Sequence, residues 1–73
     1  MEEGTTWTRI TMDPDILQGK PCVRHMRISV HVIVNLIANG MSTAEILEEY
    51  PDLEEEDIQE CLQFAAHVLE SVR

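Results

Sequence analysis

The chain carries its reactive side chains in three places. Cys22 and His25 stand in a C-x2-H spacing, with His31 and His67 further along. Thiolate and imidazole at such a spacing can bind zinc where four ligands, or three and a water, converge. Lys20, Arg24 and Arg27 form a short cationic cluster able to contact an anion or the phosphates of DNA. Glu54, Glu55, Glu56 and Asp57 follow one another, with Glu60 close behind. Carboxylates in that number could do acid/base work inside a pocket, or present negative charge to a basic partner.

Each group also has a plainer reading. No CxxC accompanies Cys22, and a packed thiol with solvated imidazoles accounts for the same residues. The segment "QGKP" holds a single glycine and opens no helix, so it is not a phosphate loop. Acid/base chemistry needs a pocket that 73 residues can hardly build. The sequence therefore points away from an enzyme and calls for no cofactor or metal. The cations read either as anion contacts or as charges paired with Asp13 and Asp15, and the rigid fork of Arg27 suits a carboxylate. The acidic run would in any case stabilise the positive end of a helix dipole, by about 0.3–1 kcal/mol per residue.

The elements that must position these groups can be read locally. A chain of 73 residues makes one small domain. Such a domain buries only ~60% of its unfolded surface, which makes its core marginal and favours a partner. Residues 1–8 read as a flexible leader, with Trp7 able to dock, and residues 9–73 as the domain. "TRITMDP" alternates apolar and polar residues as a strand does, and Asp13-Pro14 marks a turn. A second turn at Gly19 to Pro21 and extended pieces around Cys22-Val23 and Arg27-Ile28 complete an irregular β-hairpin over 9–28. Ser29 can cap a helix near 30–39, whose polar residues His31, Asn35 and Asn39 make one stripe on an otherwise apolar surface. That helix should be buried nearly all round, and Gly40 suits its C-terminal turn. "STAE" at Ser42 is a capping box for a helix near 43–50, which Pro51 stops. The last helix, near 54–71, shows an apolar stripe of Ile58, Cys61, Leu62, Ala65, Leu69 and Val72, widened by Phe64 and Val68. On that stripe Cys61 is expected to be reduced and buried, as in a cytosolic protein.

The net charge of −9 is uneven. Residues 1–40 balance four cations against four anions, and residues 41–73 hold one cation against ten anions. The last two helices look like a helix-turn-helix, yet the first turn of the reading helix would repel DNA. No apolar run is long enough to span a membrane and no signal-peptide pattern is present, which points to the cytoplasm.

From Arg9 to Ala66 the chain "RITMDPDILQGKPCVRHMRISVHVIVNLIANGMSTAEILEEYPDLEEEDIQECLQFAA" resembles the domain-of-unknown-function family 433. The elements "GKPCVR" and "YPDL" carry the resemblance together. Two departures stand out: His25-Met26 replaces the family's Gly-Thr, and Ser29 its Pro. Loss of that glycine would alter a hairpin turn that needs positive φ. The resemblance implies a mainly α fold, a short N-terminal β-hairpin followed by a three-helix, homeodomain-like helix-turn-helix core. It also implies an antitoxin that neutralises a PIN-like toxin nuclease. On that reading the acidic face of Glu54, Glu55, Glu56, Asp57 and Glu60 would enter a basic cleft in place of RNA phosphates. The alternatives are a DNA-binding autoregulator using Lys20, Arg24 and Arg27, and a homodimeric scaffold. A homodimer is expected, because one small core leaves apolar helix surface to cover.

Overall fold

A computed structural model describes residues 7–70. Its elements are strand β1 (Ile10–Thr11), strand β2 (Cys22–Val23) and helices α1 (Val30–Ala38), α2 (Thr43–Glu49) and α3 (Glu55–Glu70). The protein is mainly α, with a two-stranded antiparallel hairpin at its start.

In the hairpin Ile10 pairs with Val23 and Thr11 with Cys22. The connection turns through Leu17, Gln18 and Gly19, all with positive φ, slightly earlier than the Gly19–Pro21 turn expected from sequence. The other edge of β2 is also used. Cys22 bridges Ser29, and the Val23 N–H donates to the Ile28 carbonyl at 3.0 Å. Between them the chain reverses through Val23–Met26, closed by the Met26 N–H on the Val23 carbonyl at 2.7 Å. Arg24 and His25 sit at φ 44° and 61° there. Positive φ at both central residues is the type I′ pattern, whose twist matches paired strands. The turn thus keeps its left-handed conformation with no glycine in it.

Each helix starts and stops where its local chemistry directs. The Ser29 hydroxyl oxygen accepts from the Val32 N–H at 3.1 Å, capping α1. At its other end Gly40 has φ 95°, its N–H donates to the Ile37 carbonyl, and the Met41 N–H donates to the Leu36 carbonyl. That pair of bonds is a Schellman closure, which needs a left-handed residue at Gly40. Ser42 and Glu45 form both halves of a capping box, at 3.1 and 2.8 Å. Tyr50 ends α2 ahead of Pro51, as expected.

The core lies where α1 and α2 pack on α3 and the hairpin closes one end. Val23, Ile33, Ile46, Ile58 and Cys61 are at most 1% exposed. Burying an isoleucine this fully contributes about 1.5–3 kcal/mol. Two expectations about the helices change. Of α1 only Val30 and Ile33 are buried, because a single chain has no further layer to cover its other sides. On α3 the inward residues are Asp57, Ile58, Cys61 and Phe64, while Leu62 and Leu69 are 40% and 73% exposed. Beyond Phe64 the helix outruns the core, and Val72 lies outside the described residues. Residues 1–6 of the expected leader lie outside the described residues. Trp7 docks on the domain, edge-on to Phe64 (centroids 5.3 Å apart) and to His67 (5.8 Å).

Candidate functional site

Asp57 occupies the third position of α3, within the first turn. It lies one and two turns before Cys61 and Phe64 on the same inward stripe, and is wholly buried. A buried carboxylate must be paired and hydrogen-bonded. Arg24 supplies a fork, Nε donating to Oδ1 at 3.0 Å and a terminal nitrogen to Oδ2 at 2.8 Å. Arg9 donates to Oδ1 at 2.9 Å and to Glu54 Oε1 at 2.8 Å. The Glu54 N–H donates to Asp57 Oδ2 at 2.7 Å, which caps the helix. Arg24 also donates to the Asp52 carbonyl at 2.8 Å, fixing the turn before α3. Glu60 accepts from the Arg9 N–H at 2.8 Å and from the Thr8 hydroxyl at 3.3 Å.

Burial alone would push the Asp57 carboxyl up. The Arg24 and Arg9 hydrogen bonds and the Glu54 N–H outweigh it and hold the group at about 2. The Cys61 thiol is pushed up to about 12, by burial first and then by the charges of Asp57 and Glu60. Burial likewise raises Cys22, against the pull of Arg27 and Lys20. Both cysteines are free, buried and in their protonated, unreactive form.

The residues singled out by sequence therefore divide. Asp57 leaves the exposed acidic face, since it is buried and fully engaged. Glu54 and Glu60 are tied to Arg9 and Thr8. Glu55 and Glu56 remain exposed, with no ion pair among the described residues. They continue an acidic surface through Asp52, Glu49 and Glu48, all exposed. Arg24 leaves the free cationic cluster, its partner being Asp57 rather than Asp13 or Asp15. Lys20 and Arg27 stay exposed, without an ion pair among the described residues. His25 is exposed, its Nδ1 3.6 Å from Asp13 Oδ2. Among the described residues no three His, Cys, Asp or Glu side chains gather as metal ligands would. Arg9 was not singled out by sequence; its place beside Ile10 at the start of β1 is the signal that aims it at α3. For Asp57 the signal is its spacing from Cys61 and Phe64.

The family model for a protein of unknown function (DUF433) matches residues 10–65, from β1 through most of α3. The chain belongs to the DUF433 family. It is similar to the uncharacterized protein y4eO of Sinorhizobium fredii (strain NBRC 101917 / NGR234), 40% identical over 50 residues. That alignment covers 68% of this chain and 23% of the relative, so the chain spans under a quarter of the relative's length. No solved structure matches. Within the DUF433 match lie Arg24, Asp57 and the intervening helices, whereas Arg9 lies one residue before it.

Proposed function

We propose that this DUF433 chain is a non-catalytic binding protein of the antitoxin kind, acting in the cytoplasm. Its target is a PIN-like nuclease with a basic, RNA-binding cleft. The observation that carries the reading is the acidic surface left over after internal pairing. Glu48, Glu49, Asp52, Glu55 and Glu56 are exposed in one continuous stretch of chain, and no lysine or arginine falls between Met41 and Glu70. Such a surface attracts a basic cleft and mimics its phosphate ligand. The rigid turn held by Arg24 and Asp57 fixes the start of α3, so the carboxylates are presented in one geometry.

The test pairs the protein with a purified PIN-like nuclease and follows RNA cleavage. The native chain is expected to suppress cleavage, and Glu55→Lys/Glu56→Lys to weaken the complex about 10-fold or more at low salt. Inhibition unchanged by that double reversal would remove the acidic surface from the mechanism.

A second reading, DNA-binding autoregulation, draws on the exposed Lys20 and Arg27. It places any DNA contact on the hairpin rather than on α3.

A further inference from the structure

We propose that the groove between α1 and α3 binds a small monocarboxylate with an apolar tail, the carboxylate at Lys20 and the tail along Val34, Phe64 and Ala65. The groove measures about 360 Å³. That lies within the ~300–1,000 Å³ of small-molecule sites. Its walls are almost wholly carbon, from Val30 and Val34 on one side and Phe64 and Ala65 on the other. The Ser29 hydroxyl lines it too, but its oxygen already accepts from the Val32 N–H. The part of an occupant that lies along these walls must be apolar, because nothing there would replace its hydrogen bonds to water.

The mouth is different. The Pro21 carbonyl accepts from the Val30 N–H at 2.9 Å, which sets Lys20 beside the first turn of α1. Lys20 is exposed and makes no ion pair among the described residues. Among those residues it is the one lysine or arginine lining the groove, and no Asp or Glu lines it. One fixed positive charge at the end of an apolar trough matches one negative charge at the end of an apolar tail. This preference runs against the field of the whole molecule. A net charge of −9 attracts cations and repels anions at long range. Selection of an anion over a cation with the same tail is therefore a property of this groove alone. Neither Glu55 nor Glu56 lines it, so the inference stands apart from the nuclease reading.

Amide NMR titrations at about 0.15 M salt test it, with octanoate, octanol, octylammonium and butanoate as probes. Octanoate is expected to bind tightest of the four, with saturable shifts centred on Lys20, Val34 and Ala65. Each methylene between butanoate and octanoate should tighten binding about 2- to 4-fold. Lys20→Met keeps the aliphatic stem and removes the charge. It should weaken octanoate about 5-fold and leave octanol unchanged. Ala65→Leu fills the trough and should remove both. Lys20 is exposed and outside the core, so its variant decides the matter even where Ala65→Leu disturbs the packing of α1 on α3. Octylammonium binding as tightly as octanoate would overturn the proposal. So would octanoate binding indifferent to Lys20→Met, or shifts centred on Leu62 and Gln63. Shifts at the groove amides on dilution of the protein alone would give the groove to a second copy, and would overturn it too.

Discussion

Asp57 accepts from two guanidinium groups and a backbone N–H with no access to water. Its folded pKa of about 2 lies below the ordinary 3.8. A depressed carboxylate stabilises the fold above its unfolded pKa, and that stabilisation is lost as pH falls from about 4 towards 2. The shift corresponds to at most about 2.5 kcal/mol, less after screening through the two partly exposed arginines. Asp57→Asn is therefore expected to lower Tm at neutral pH and to flatten the acid limb between about pH 4 and 2. Thermal melts across that range check it; an acid limb as steep in the variant as in the native chain would assign the effect to other carboxylates. The burial of Asp57 was legible from its spacing to Cys61 and Phe64. The run of four carboxylates concealed it, because a charge run at a helix start already has a sufficient electrostatic cause. Its partners were not legible, since Arg24 and Arg9 come from 33 and 48 residues away.

At the scale of elements, what sequence showed most clearly depends on neighbours within a few positions. The Ser29 cap, the Ser42–Glu45 box and the Gly40 closure each involve bonds between residues three to five apart, and the Pro51 stop acts on the residue before it. The hairpin turn is also local, but its residue types mislead. His25 holds φ 61° where the resembling family has glycine, and a side chain in that region costs about 1–2 kcal/mol. The turn survives because β1 on one edge of β2, the Cys22–Ser29 bridge on the other and the His25 N–H on Thr11 Oγ1 at 2.9 Å over-determine it. His25→Gly should therefore stabilise the protein by about 0.5–1 kcal/mol net of the added freedom of the unfolded chain. Denaturant melts measure this. Arg24 shares the left-handed φ but its side chain is committed to Asp57, so Arg24→Gly should destabilise. A destabilised His25→Gly would mean that the imidazole makes a compensating contact. The inward face of α3 was half legible: the apolar stripe is wider than the core it meets, and only the packed structure divides it.

Across the whole molecule, internal pairing sharpens the charge division. Arg9 and Arg24 are spent on the carboxylates of α3. Lys20 and Arg27 are the described cations left for an outside anion, and both precede α1. Any affinity for duplex DNA should therefore reside in the hairpin. Lys20→Ala/Arg27→Ala should abolish it or reduce its log–log salt slope by about 2. Glu55→Lys/Glu56→Lys should strengthen it by removing repulsion. Gel shifts over a salt series read both, and loss of binding on that charge reversal would restore α3 as the reading helix.

The ion cluster also bears on how far the chain can be dissected. A helix-turn-helix is commonly treated as a portable module, cut at the first residue of its first helix. A fragment cut at Ser29 would here discard both guanidinium groups and leave the Asp57 carboxylate facing apolar side chains. It would also discard Ile10 and Val23, which close the end of the core. The hairpin is thus the counter-ion store and lid of the helical bundle rather than an appendage to it. Any boundary drawn for this unit inside a longer protein has to fall before Arg9, and before Trp7 if the edge of Phe64 is to stay covered.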